Sequence, residues 1–304
     1  MITFFSTPKP FRGHIGIIQR NAIHSWKLAH PAAEVILFGN EEGASEAAHD
    51  LGARHEPEVE RNSLGTPLLS SLFDRADRLA RHDLVCFLNA DILLTDDFHA
   101  ACARLLQIYQ QSLMVGRRCD VDITWPLDFS SPDWGQRLRT MARERGKLRP
   151  PQWIDYFVFP RGLLYQQVPH FAVGRPGYDV WLLWKVRSMG VPVVDATRVV
   201  RAIHQNHDYS HHPGGQEGLW RDIEAQENFT LLGKGHFVTI DNATHRLTPT
   251  GLRPNYYHWV AQTKRKTQAL GSAAWFALLG LTRPMRHKLG LRQGVVPKVQ
   301  SEKK

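Results

Sequence analysis

The chain has 304 residues, enough for one large domain or two modest ones. With 42% hydrophobic and 22% charged residues, its composition is globular and excludes a disordered chain. Three cysteines (Cys86, Cys102, Cys119) without CxxC spacing argue against a disulfide framework and for a reducing compartment. The net charge of +9 is uneven: from Ala261 onward ten Lys or Arg face one acid, Glu302, and residues 1–260 are formally neutral. The body therefore shows no basic face for nucleic acid, and the tail is expected to meet something anionic.

The opening run Met1–Phe5 has no basic residue before it and reads as a first strand, over Thr3–Phe5, rather than a signal peptide. After Pro8, Pro10 and Gly13, the spacing of Ile15, Ile18, Ala22 and Trp26 predicts a helix. Val35–Phe38 is a strand stopping at Gly39-Asn40, and Ala44–Leu51 a helix. Past the polar loop Arg61–Pro67, Leu68, Leu69, Leu72, Phe73, Ala76 and Leu79 share one helix face. Leu84–Leu88 is a continuous apolar strand of the kind buried on both faces, ending at Asn89-Ala90-Asp91.

A helix over Phe98–Gln111 and a strand Leu113–Val115 ending at Gly116 follow. The second half predicts a helix Trp134–Glu144, a strand Tyr156–Phe159, a buried helix Tyr178–Arg187 and strands Val191–Val194 and Val199–Ile203. The alternation implies an α/β fold, a Rossmann-like mixed sheet with helices on both faces, over residues 1–250. Residues 251–304 read as a C-terminal helical extension with a basic tail.

Four stretches carry chemistry. Asn89-Ala90-Asp91 follows the apolar strand, and ligands of open α/β sheets bind at carboxyl strand ends. Asp91 is thereby a rigidly placed oxygen ligand of the kind Mg²⁺ and Mn²⁺ use; the competing reading is a simple turn signal. His204-Gln205-Asn206-His207-Asp208-Tyr209-Ser210-His211-His212 follows another strand, with metal ligation or a solvated polar loop as its two readings. Asp179, after Gly174-Arg175-Pro176-Gly177, reads either as a helix cap or as a general base at a cleft. Arg117 and Arg118, after Val115-Gly116, read as a diphosphate grip or as an ordinary ion-paired couple. Asp155-Tyr156, with Tyr178, are candidate acceptor or sugar contacts, against the commoner reading of Tyr156 and Phe157 as aromatic core.

The order of these elements over residues 1–245 resembles the GT-A nucleotide-sugar glycosyltransferases (family 2-like). The resemblance implies an enzyme that moves a sugar from a nucleotide-diphosphate-sugar to a hydroxyl on a glycan or lipid-linked acceptor, with Mn²⁺ or Mg²⁺. Asn89-Ala90-Asp91 is similar to that family's Asp-x-Asp motif, with Asp91 as metal ligand and Asn89 turned to the ribose or sugar. The late metal-binding histidine corresponds to His204 or His207, and the catalytic base to Asp179. The nucleoside would lie against Thr7-Pro8-Lys9, Asn40 and Thr66, with Asn89, Ala90 and Arg118 completing the donor site.

Two other classes stand beside it. A metal-dependent phosphoester hydrolase would use Asp91, His204, His207 and Asp208, and a non-catalytic nucleotide-sugar or glycan-binding module is suggested by Asn89 standing where an acid is usual. A dehydrogenase is disfavoured, since no GxGxxG follows a strand. In the tail, Trp275, Phe276, Leu278 and Leu279 lie between Lys264–Lys266 and Arg283–Lys288. That pattern suits either an interfacial helix on an anionic membrane or a helix packed on the body. The longest apolar stretch, Ala273–Leu281, is short of the ~20 residues a membrane span needs. The expected location is the cytoplasm, including peripherally on the inner face of the membrane.

Overall fold

The computed structural model describes residues 1–207 and 215–256. In chain order the first half runs β1 (Ile2–Ser6), α1 (Gly13–Ala29), β2 (Glu34–Phe38), α2 (Ala44–Asp50), β3 (Arg54–Glu56), α3 (Leu69–Leu79) and β4 (Leu84–Leu88). Then come β5 (Ile92–Leu93), α4 (Asp96–Leu106), β6 (Leu113–Val121), α5 (Trp134–Arg145), β7 (Lys147–Leu148) and β8 (Ile154–Pro160). The chain continues through α6 (Tyr178–Ser188), β9 (Val193–Asp195), β10 (Ala202–Gln205), α7 (Gly215–Arg221), α8 (Ile223–Leu232), β11 (His245–Thr248) and β12 (Gly251–Pro254). The expected α/β architecture is observed as one mixed sheet in the order β12-β11-β9-β6-β8-β4-β1-β2-β3. β8 is antiparallel to both β4 and β6, while β1, β2, β3 and β4 are mutually parallel where they pair.

Side-chain alternation sends each strand's residues to two different cores. Phe5 packs with Phe38, Phe73, Phe87 and Phe159 on one face, beneath α3 and α6. Ile2 and Phe4 join Trp26 and Phe98 on the other, beneath α1 and α4. Helices therefore cover both faces, as the two-sided apolar strands require. Cys86, Cys102 and Cys119 are unpaired and buried.

Several elements differ from the sequence reading. β6 does not stop at Gly116 but shifts register between Val115 and Arg117 and continues to Val121, the bulge a strand glycine commonly marks. Its first half pairs with β9 and its second with β10, so one strand feeds both the main sheet and the edge that carries His204. Val199 and Val200 close a turn onto Ala196 O, and the strand forms later, at Ala202–Gln205. Gly251–Pro254 pairs with β11, so the sheet takes in residues assigned to the extension. Residues 1–255 form one compact unit; the expectations for 261–304, and those for Asp208, His211 and His212, lie outside the described residues. Among described residues no helix is long and apolar enough to cross a membrane.

Tyr156 corrects an expectation: alternation along β8 aims it away from Asp155, fully buried against Phe98, with Gly116 underneath. It touches core rather than ligand, and its hydroxyl is unpartnered among the described residues. Phe5→Ala is expected to cost about 3–5 kcal/mol in denaturant unfolding. Tyr156→Phe, which removes an unsatisfied buried hydroxyl, should be neutral or stabilising by up to about 1 kcal/mol.

Candidate active site

β4 delivers Asn89, Ala90 and Asp91 at its carboxyl end, and hydrogen bonds hold that turn on three sides. Asn89 N donates to Asp155 O at 3.0 Å. Gln205, fully buried, binds Asp91 O through its backbone N (3.3 Å) and its Nε2 (3.1 Å). The same amide donates to Ile18 O at 2.7 Å and accepts from Asn21 Nδ2 at 3.0 Å, tying the turn to α1.

Asp91 Oδ2 lies 3.2 Å from His207 Nε2 and 3.7 Å from His204 Nε2. The three groups can present one ligand atom each within 4.8 Å of one another, the single such group found among the described residues. His204 enters from β10, whose parallel register sets it beside Asp120 of β6; its Nδ1 is 3.3 Å from Asp120 Oδ1. This carboxylate–imidazole pair turns His204 Nε2 toward Asp91, the arrangement by which metal-ligating histidines are oriented. Burial alone would raise the Asp91 carboxyl, but His204, His207 and Lys9 outweigh it and hold it well below the usual carboxylate range.

The donor set suits a divalent cation. Asp91 Oδ1 is buried without a hydrogen-bond partner among the described residues, which is costly for a carboxylate unless a cation or ligand completes it. One carboxylate with two imidazoles is a borderline set that favours Mn²⁺ over the all-oxygen preference of Mg²⁺. The sequence left His204 and His207 as alternatives; the structure brings both to Asp91.

Beside this cluster opens a cavity of about 620 Å³. Thr7, Pro8, Lys9, Thr66, Asn89, Ala90, Asp91, Arg118, Asp155, Tyr178, Asp179 and His207 all line it. His204 stands behind Asp91 rather than on the wall. Asn40 is exposed and off the wall, although its neighbour Glu41 lines the cavity. Gln19 holds the Lys9 backbone from both sides, accepting from Lys9 N (2.6 Å) and donating to Lys9 O (2.8 Å).

Arg118 reaches the wall but is not offered to a phosphate. Its guanidinium is 3.1 Å from Asp155 Oδ2 and 2.9 Å from Asp120 Oδ1, and lies 4.5 Å over the Trp153 ring. Burial works against its charge, yet Asp155 and Asp120 more than compensate and keep it protonated. Asn89 is likewise engaged: Nδ2 donates to Asp155 Oδ1 at 2.8 Å, and Oδ1 accepts from the Tyr178 hydroxyl at 3.4 Å.

Asp179 opens α6 on the cavity wall, with protein around the rest of its surface. Burial pushes its carboxyl up to about 7, and nearby Asp155 adds to that. Such a group is close to half-ionised near neutral pH, the condition that favours a general base.

Sequence reasoning missed Asp120, Glu41, Arg61 and Trp153, and the wall formed by Leu219, Trp220, Phe229 and Phe237. Asp120 had a findable signal, since it alternates with Arg118 along one strand face. The aromatic positions had none, because an isolated aromatic reads equally as core.

No protein-family model matches the chain, and neither does any curated protein. Among solved structures, it is similar to Mycobacterium tuberculosis glucosyl-3-phosphoglycerate synthase in complex with Mn²⁺ and UDP-glucose. Identity is 15%, coverage 84% of this chain and 86% of that one, and the TM-score 0.46. A second similar structure, described as a mycobacterial protein, is 17% identical over 76% of this chain and 73% of that one, with a TM-score of 0.44. S. aureus TarS 1-349 is 10% identical over 67% of this chain and 57% of that one, with a TM-score of 0.40.

Asp120→Asn tests the orienting pair. It should weaken Mn²⁺ binding by about 10–100-fold in calorimetric titration, whereas Asp91→Ala should abolish it.

Proposed function

We propose that this chain transfers a sugar from a nucleoside-diphosphate donor to a hydroxyl acceptor, with a divalent cation held by Asp91, His204 and His207. The observation that carries the reading is the convergence on one cavity of the Asp91–His204–His207 cluster and the up-shifted carboxylate of Asp179. Cleaving the bond between the anomeric carbon and the diphosphate oxygen leaves negative charge on the departing nucleotide. When bound, the cation supplies charge neutralisation there.

The chain's own residues do the rest. Gln205 and Asn89 fix the Asp91 turn, and Asp120 fixes His204. Asp179 takes the proton from the incoming hydroxyl as its oxygen joins the anomeric carbon. Thr7, Pro8, Lys9 and Thr66 form the wall assigned to the nucleoside. Asn89 is committed to Asp155 and Tyr178, which argues against a role as metal ligand.

A panel of UDP-, GDP-, dTDP- and CDP-sugars with Mn²⁺, Mg²⁺ or EDTA tests this reading. Metal-dependent donor turnover that disappears in Asp91→Ala is expected. Absence of any nucleotide-sugar binding, with hydrolysis of simple phosphate esters instead, would overturn it in favour of a hydrolase.

The pH profile tests Asp179 separately. A base must be deprotonated, so with a carboxyl near 7 the transfer rate should rise with pH and level off above that value. At pH 6 it should be about tenfold below the plateau. Asp179→Asn should lower kcat while leaving nucleotide affinity within about twofold.

For the basic segment 261–304 we retain the proposal of contact with an anionic membrane on the cytoplasmic face. Co-sedimentation with anionic vesicles that persists after its removal would exclude it.

A further inference from the structure

Besides the residues assigned to the nucleotide, the cavity wall carries a set of aromatic side chains. α7 and α8 contribute Trp220 and Phe229, and the loop after α8 contributes Phe237. These side chains line the cavity yet remain 45%, 43% and 56% exposed. Single exposed aromatics are ordinary; three converging on one cavity, with Trp153 6.2 Å from Trp220, are the lining of a ligand subsite.

This subsite is fixed relative to Asp179. Asn228, next to Phe229 on α8, accepts from Ala172 N at 2.8 Å and donates from Nδ2 to Pro176 O at 3.2 Å. That clamp holds α8 to the loop that ends at Asp179. Phe229 and Asp179 line the same cavity from these two clamped segments.

Charge narrows the ligand further. Among the described residues the cationic side chains on the cavity wall are Lys9, Arg61, Arg118 and Arg175. Arg61 is paired with Glu41 at 2.9 Å, and Arg118 with Asp155 and Asp120. Arg175 is paired with Asp222 at 2.6 Å and Glu224 at 2.5 Å. Lys9 stands on the donor side, near Asp91. Among the described residues each of these three guanidiniums is already paired with a carboxylate, and an ionised Asp179 would repel a phosphate or carboxylate on the acceptor.

We propose that the acceptor is an uncharged hydroxyl compound carrying a flat apolar group, which stacks on Trp220 and Phe229 beside Asp179. The inference rests on the transferase reading for its chemistry, but its binding arm stands without it.

The test is calorimetric titration of the full chain with phenyl β-glucoside, cellobiose and 3-phosphoglycerate, each with and without UDP and Mn²⁺. Phenyl glucoside is expected to bind at least about tenfold more tightly than the other two. Trp220→Ala and Phe229→Ala should each weaken it by about five- to tenfold. UDP affinity and melting temperature should stay unchanged, since both side chains are substantially exposed and neither is among the residues assigned to the nucleoside. Equal or tighter binding of 3-phosphoglycerate or cellobiose would overturn the proposal, as would ring variants that bind phenyl glucoside like the wild type. If UDP fails to bind while phenyl glucoside binds in a ring-dependent way, the transferase reading fails and the subsite stands.

Discussion

The site is organised by the need to keep a largely buried carboxylate ionised at the edge of a cavity. Burying Asp91 opposes its charge, and the chain answers with two imidazoles at 3.2 and 3.7 Å from one oxygen. Each imidazole then needs its own orientation, which brings in Asp120, and Asp120 brings in Arg118 and Arg149. Arg118 passes the requirement on to Asp155, and Asp155 to Asn89, back beside Asp91. The network closes on itself, so its members depend on one another more than on any single pair.

That closure explains why the sheet is built as it is. β10 adds to β6 in parallel and brings His204 level with Asp120, while its pairing with β5 sets His204 opposite Ile92, next to Asp91. Both registers must hold at once, and a slip of one residue would turn His204 to the other face. The register shift at Gly116 lets one strand serve the central sheet with Leu113–Val115 and this edge with Arg118–Val121.

Much of this was legible in the residues. A five-residue apolar strand ending in Asn-Ala-Asp marked Asp91, and a histidine pair after a late strand marked its partners. The two-faced core followed from continuous apolar strands. The rest was hidden for identifiable reasons. Val199-Val200 has strand composition but closes a turn, since β-propensity reflects packing context more than backbone preference. α8 exposes Ile223, Phe229 and Leu231, so its apolar residues trace no single stripe and the helix escapes a periodicity search. Asp120 meets its histidine 84 residues away, a distance no local pattern spans. Whether Arg118 holds a phosphate or a carboxylate likewise depends on partners brought together only by folding.

The three buried cysteines carry a consequence of a different kind. Burial pushes the Cys102 thiol up to about 12, the Cys86 thiol well above its ordinary range, and that of Cys119 upward as well. Because the thiolate is the reactive form, all three stay protonated and shielded at neutral pH. None of the three native thiols is therefore readily alkylated, and a cysteine introduced on the surface would be the dominant reactive thiol. A dye or spin label placed there could report on the cavity against a silent native background.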